Sequence, residues 1–208
     1  HTGMRAIHSE VSRAVARVMP LARLRWIGYG HFEADECGAM NRWLAAAPAA
    51  MVVQGHVGVM LSANDQFDHL PRALDDGESL DLGSKRVRWL ATPHVPHGWD
   101  AALLYEETTH TLFAGDLFTV AGDARVQTDA DLLEAALATD DAMGSTALTA
   151  ATAPTNRRLA DLAPRTLAPM HAPAFTGGAF AALHAPADAY EHRFLETGAG
   201  AQRPGRVA

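Results

Sequence analysis

Four strand-like stretches of this chain each end in a group of ionisable side chains, and any fold for it has to place all four groups. The first, Leu24 to Tyr29, runs into His31-Phe32-Glu33-Ala34-Asp35-Glu36. The second, Arg86 to Ala91, runs into Thr92-Pro93-His94-Val95-Pro96-His97-Gly98-Trp99-Asp100. Thr111 to Phe113 leads to Gly115-Asp116, and Arg165 to Ala168 leads to Pro169-Met170-His171. Open α/β sheets bind ligands at the carboxyl ends of their strands, so one sheet edge can present all four groups. In the first group, alternate residues of a compact loop can aim the same way, which lets His31, Glu33 and Asp35 converge. Three carboxylates beside one imidazole repel one another unless a cation joins them. An acidic helix start with Asp35 as its cap is the plainer reading of the same residues.

The remaining pattern is that of a layered α/β protein. Met4, Ile7, Val11, Val15 and Val18 recur at helical steps until Pro20 stops them. Glu36 to Ala47 predicts a second helix ended by Pro48, and Met51-Val52-Val53 a short buried strand. Residues 63–78 read as a polar loop. Ser79 to Leu82 and Arg86 to Ala91 flank the Gly83-Ser84 turn, and Ala102 to Tyr105 and Thr111 to Phe113 flank Thr108-Thr109, two hairpin signals. Residues 129–163 are helical with interruptions near Gly144 and Pro154. Gly178 to Leu195 is helical with a break at Pro186. No repeat or linker divides the chain, so one domain is expected over 1–196, with a flexible tail over 197–208.

Composition narrows the function classes. The 208 residues carry a net charge of −7, which argues against nucleic acid as a partner, since phosphate binding needs a basic face. No apolar run approaches the roughly 20 residues that span a bilayer. Cys37 is the one cysteine, which excludes an internal disulfide and a cysteine-based zinc site and makes the cytoplasm the expected location. Eleven histidines, by contrast, are ample material for metal and acid–base chemistry.

The four groups, in their order, resemble the metallo-β-lactamase superfamily. Its hydrolases open with His-x-His-x-Asp-His. Here the motif is His31-x-Glu33-x-Asp35-Glu36, and Glu in the second position is similar to the flavodiiron and oxygen-binding diiron branch. Eighteen residues separate His97 from Asp116, the spacing of a ligand His and a bridging Asp in that branch. His171, in "LAPMHAP", matches its final His, and "DDGESLDLGSKRVRWLATP" and "TLFAGDLF" resemble its flanking strands. The resemblance covers roughly residues 24–180. It implies an αββα fold, two mixed sheets flanked by helices. Several strands usual before the helix at 4–18 have no counterpart here, so an N-terminally truncated domain is expected. No flavodoxin-like segment is present either, so no flavin is expected in this chain.

The resemblance further implies a metal set of His31, Glu33, Asp35, Glu36, His97, Asp116 and His171. His31, Glu33 and His97 would hold one ion, Asp35 and His171 the other, with Asp116 bridging. Glu36 stands where the family has His. If it ligates, four carboxylates balance two divalent cations, which favours iron or manganese over zinc. His94 competes with His97 for one role. The spacing selects His97 and leaves His94 as a group near the substrate.

Three functions follow. The first is a diiron protein that binds or reduces a diatomic such as dioxygen or nitric oxide, with a separate electron donor if it turns over. The second is a metallohydrolase of a thioester, lactone or phosphoester, in which Asp35 and Asp116 serve a metal-activated water and His94 flanks the substrate. The third is a non-catalytic module that kept the shell of residues. A small-molecule substrate and a homodimer are the partners expected; no membrane is.

Overall fold

The computed structural model describes residues 1–122, 126–130, 132–177 and 179–197, so the tail expected over 197–208 lies, but for Thr197, outside the described residues. The chain forms two compact units: one comprises residues 1–78, 89–93 and 98–102, the other residues 79–88, 94–97 and the chain from 103. It is a mixed α/β fold with a three-stranded and a seven-stranded sheet.

The first unit grows around a parallel sheet. Strand β1 (Trp26–Gly28) pairs with β2 (Met51–Gly55), and β2 pairs with β3 (Arg72–Leu74), all in the same direction. Parallel neighbours put their carboxyl ends on one edge, so the chain after β1 emerges where β2 and β3 also end. Helix α1 (His8–Ala16) presents Val11 and Val15 to a core of Ile27, Tyr29, Trp43, Leu44 and Val52. Burying each such side chain contributes about 1.5–3 kcal/mol. The helix expected over 36–47 is two pieces, α2 (Ala34–Cys37) and α3 (Met40–Ala46). A Cβ at Gly38, between them, would lie 2.3 Å from the Ala34 carbonyl oxygen, so no larger residue fits that approach.

Two features here differ from the sequence expectation. The polar stretch 63–78 contains β3, too short for any alternation to register and immediately preceded by Pro71, which needs no ladder donor there. Residues 56–66 are helical, built from α4 (His56–Gly58), a π-wound turn at Val59–Ala63 and α5 (Asn64–Gln66).

The seven-stranded sheet has the order β4-β5-β6-β7-β9-β10-β8. Its strands are β4 (Ser79–Asp81), β5 (Arg86–Ala91), β6 (Ala102–Glu106), β7 (Thr111–Gly115), β8 (Gln127–Thr128), β9 (Thr166–Pro169) and β10 (Ala174–Phe175). The hairpins β4–β5 and β6–β7 are antiparallel, as their turns predict, while β9 runs parallel to β7. The two-residue strands β8 and β10 carry no sequence signal. Helix α6 (Leu133–Met143) and helix α7 (Thr152–Ala160) follow β8. Helix α8 (Ala179–Glu196) continues through Pro186, where a break was expected. It packs on α7, and Leu183 and Ala187 on either side of the proline are fully buried. That burial offsets the missing backbone donor, about 3 kcal/mol in an exposed helix.

Candidate metal centre

In the first unit the β1 exit loop builds one donor set. Its anchor is Glu36, in the first turn of α2 and 1% exposed. Its Oε2 accepts from the backbone N–H of Gly30 at 2.5 Å and of His31 at 2.7 Å. Its Oε1 lies 3.1 Å from Nδ1 of His31, and the other ring nitrogen, Nε2, lies 3.3 Å from Oε1 of Glu33. Both ring nitrogens of His31 thus face a carboxylate oxygen, and Oε1 of Glu36 is buried without a hydrogen-bond partner. His31 is buried, whereas Glu33 is exposed.

Asp100 closes the loop from below. Its Oδ2 accepts from the Phe32 N–H at 3.0 Å, and burial raises its carboxyl above the usual range, although that N–H bond acts in the opposite direction. Sequence reading placed Asp100 in the second group without a role. Asp35 lies half-buried in the first turn of α2, and the residue at the N-terminal boundary of that helix is Glu33. Cys37 is buried, and desolvation with the neighbouring Glu36 charge pushes its thiol up to about 12, consistent with a packed side chain.

In the second unit a donor set forms at the carboxyl ends of β7 and β9. Their parallel pairing puts Gly115 opposite Pro169, with an irregularity between Phe113 and Gly115 where the backbone reaches φ +52°. A glycine takes that left-handed geometry at no steric cost. The next residues, Asp116 and Met170-His171, therefore leave the sheet side by side. Met170 N–H donates to the Gly115 carbonyl at 2.7 Å, and Val120 N–H to the His171 carbonyl at 3.0 Å. Oδ1 of Asp116 lies 3.4 Å from Nε2 of His171, and Oδ2 lies 3.3 Å from Nε2 of His97. One carboxylate thus offers each oxygen to a different imidazole.

His97 is oriented from behind. Its Nδ1 donates to the Ser145 carbonyl at 2.8 Å, which again leaves Nε2 for the site. Ser145 is held by Asp140, whose Oδ1 accepts from Ser145 Oγ at 2.9 Å and from Thr146 N–H at 2.7 Å. No local motif marks Ser145 or Asp140, because they act from 48 and 43 residues beyond His97. His94 is exposed, with a backbone φ of +64°.

The profile of a family described as "ODP family beta lactamase" matches residues 1–172. The chain belongs to this family. Among solved structures, this ODP-family chain is similar to the apo chemotaxis sensor ODP from T. denticola, with TM-score 0.72, 20% identity, and 87% of this chain and 77% of that one covered. It is also similar to the flavodiiron protein from Giardia intestinalis, with TM-score 0.74, 16% identity and coverage of 91% and 47%. A third likeness is to rubredoxin oxygen:oxidoreductase from the anaerobe Desulfovibrio gigas, with TM-score 0.71, 19% identity and coverage of 88% and 48%. The chain therefore spans about half the length of those two proteins. At these identities the likeness is one of fold, and it matches the metallo-β-lactamase-like architecture expected from the motifs. A search of curated proteins gave no match. Among the described residues no helix is long and apolar enough to cross a membrane.

Proposed function

We propose that this ODP-family protein is a diiron protein that binds or reduces a diatomic such as dioxygen or nitric oxide. The observation that carries the reading is the Asp116 carboxylate, one oxygen facing His97 and the other facing His171. A carboxylate that meets two imidazole nitrogens at its two oxygens suits a bridge between two cations better than a ligand to one. In this reading the ligands are those the sequence motifs nominate, with Asp116 as the bridge. The donor chemistry fits: nitrogen and carboxylate ligands without a thiolate suit iron or manganese more than zinc. The two relatives named for dioxygen chemistry and flavodiiron function support iron over manganese.

The bound pair would supply electrons from two adjacent metals to one small ligand. The chain's own residues do the rest. Ser145 holds the proton of His97 on Nδ1, so that imidazole presents Nε2 as a neutral ligand without reorganising. A separate protein or small-molecule donor would return the electrons if the protein turns over.

Elemental analysis of anaerobically prepared protein, followed by near-ultraviolet spectra on exposure to dioxygen and to nitric oxide, tests this. About two irons per chain and a gas-dependent band are expected. Zinc with thioesterase, lactonase or phosphoesterase turnover would replace the reading with a hydrolytic one. A chain that takes up no metal would refute both.

A further inference from the structure

Residues 144–147, in the second unit, hold Pro96 and His97 at two points. Nδ1 of His97 donates to the Ser145 carbonyl at 2.8 Å, and Ala147 N–H donates to the Pro96 carbonyl at 2.7 Å. Helix α8, in the same unit, grips that stretch at two further points. Nη1 of Arg193 lies 3.3 Å from Oδ2 of Asp140, whose Oδ1 already accepts from Ser145 Oγ and Thr146 N–H. Tyr190, one turn before Arg193, lies 3.2 Å from Thr146 Oγ1 through its hydroxyl. The Arg193 guanidinium carbon sits 5.9 Å from the centroid of the Tyr190 ring, and Nη2 lies 2.9 Å from Oδ1 of Asp141. Tyr190 is buried, and Asp140 and Arg193 are half-buried, so salt screens these contacts less than it screens a surface pair.

We infer that Arg193 is a positioning residue for His97. Its guanidinium fixes Oδ2 of Asp140, Asp140 fixes the turn at Ser145 and Thr146, and that turn sets where Nε2 of His97 points. The inference rests on the dinuclear reading above, in which His97 is a ligand and Asp116 the bridge. A group that orients a ligating imidazole governs its affinity for the metal. Here that group is a backbone carbonyl just past the end of α6, where a chain frays unless side chains hold it. The plainer role for Arg193 is to dock α8. Arg157 supplies the comparison: it ties α7 to α8 through Asp188 at 2.9 Å and Glu191 at 2.5 Å, and bonds neither Asp140 nor residues 144–147.

Asp140→Asn separates the two halves of this relay. Thr146 N–H demands an acceptor, so the amide oxygen takes the Oδ1 position. Its NH2 group then faces Nη1 of Arg193, donor against donor, while the hold on Ser145 and Thr146 persists. Arg193→Gln removes the cation and leaves the Asp140 carboxylate intact. Both variants break the same bond, so the double variant is expected to be no worse than either single one.

The experiment uses the full chain with 15N-labelled histidine. Metal-free protein, at a pH where the His97 ring is neutral, is read by long-range 1H–15N correlation, and iron affinity is read by chelator competition. In the parent, the His97 proton is expected on Nδ1 and protected from exchange with water. In Arg193→Gln and in Asp140→Asn that proton should exchange about three- to tenfold faster, and iron should bind about three- to tenfold more weakly. Arg157→Gln, which loosens α8 on α7, should leave both readouts at the parent's values. If Arg157→Gln shifts both as far as Arg193→Gln does, Arg193 merely docks the helix and the inference is overturned. Parental exchange and affinity in a folded Arg193→Gln or Asp140→Asn protein overturn it too, as do losses that add in the double variant. A parent His97 with its proton on Nε2 overturns it without any variant, which covers the case in which the variants fail to fold. A parent that takes up no iron overturns the dinuclear reading instead, and the exchange rates still decide the positioning role.

Discussion

The Ser145 carbonyl accepts from Nδ1 of His97 at 2.8 Å, and that contact decides which imidazole nitrogen faces Asp116. Ser145 owes its position to the end of α6. Gly144 takes φ +63° there, its N–H donates to the Asp140 carbonyl at 2.7 Å, and the Asp140 side chain captures the next two residues. A left-handed residue of this kind costs a non-glycine side chain about 1–2 kcal/mol. Nothing lies within 4 Å of a Cβ at Gly144, so the cost is conformational and not steric. Gly144→Ala should therefore lower the unfolding free energy by about 1 kcal/mol in urea titration. Iron affinity should fall by up to roughly tenfold as Ser145 loosens. Unchanged stability would show that Gly144 is not held in this geometry.

The bridging role proposed for Asp116 rests on its side chain alone. Its backbone carbonyl accepts from Thr119 N–H at 3.3 Å and Thr119 Oγ1 at 2.8 Å, so the turn after β7 does not depend on the carboxylate. Asp116→Asn is expected to keep the far-ultraviolet circular dichroism of the parent. Its iron content should drop from about two to about one per chain, because the neutral amide has one oxygen to offer and its NH2 group cannot bind a second cation. Retention of both irons by the Asn variant would assign the bridge elsewhere.

Cys37 offers a test of burial. Its thiol is pushed up to about 12, first by desolvation and then by the Glu36 charge, and its Sγ sits 3.2 Å from the Glu33 carbonyl. Thiolate is the reactive form, so almost none is present near neutral pH. Native protein should resist iodoacetamide at pH 8 over hours, while urea-unfolded protein should react within minutes. Prompt alkylation of the native chain would contradict this packing.

Glu106 provides a pH signature. Its carboxylate accepts from Thr108 N–H at 2.7 Å, Thr109 N–H at 2.9 Å and the Thr109 hydroxyl, and the hydroxyl is the largest of the influences that hold it well below the ordinary 4.5. A carboxylate with a depressed folded value stabilises fully above the unfolded value and loses that contribution as pH falls toward the folded one. The stability gap between parent and Glu106→Gln should be constant above about pH 5.5 and shrink as pH drops below 4.5. Denaturant titrations across that range check it, and a gap that widens in acid would reverse the sign argued here.

Much of the site was legible because strand ends are local signals. Gly115-Asp116 and Met170-His171 each follow an apolar strand, and the hairpin turns at Gly83-Ser84 and Thr108-Thr109 are visible in the residues themselves. What no local pattern contains is the parallel pairing of β7 with β9, which brings Asp116 beside His171 across 54 intervening residues. Short elements were lost for a related reason. Strands β3, β8 and β10 have three residues or fewer, below the length at which alternation registers. Pro186 misled in the opposite direction, since a helix on a buried face outlasts one missing donor.

Glu36 marks the boundary most clearly. Residue types and spacing, through the resemblance they carry, determined the metallo-β-lactamase-like α/β fold and nominated His31, Glu33, His97, Asp116 and His171 as candidates for its chemistry. Residue type alone could not say whether a glutamate beside Asp35 faces a cation or the backbone, because a carboxylate accepts equally well from either. The tertiary structure decided it for one oxygen, by turning the Gly30 and His31 amides onto Oε2, and left Oε1 buried without a hydrogen-bond partner.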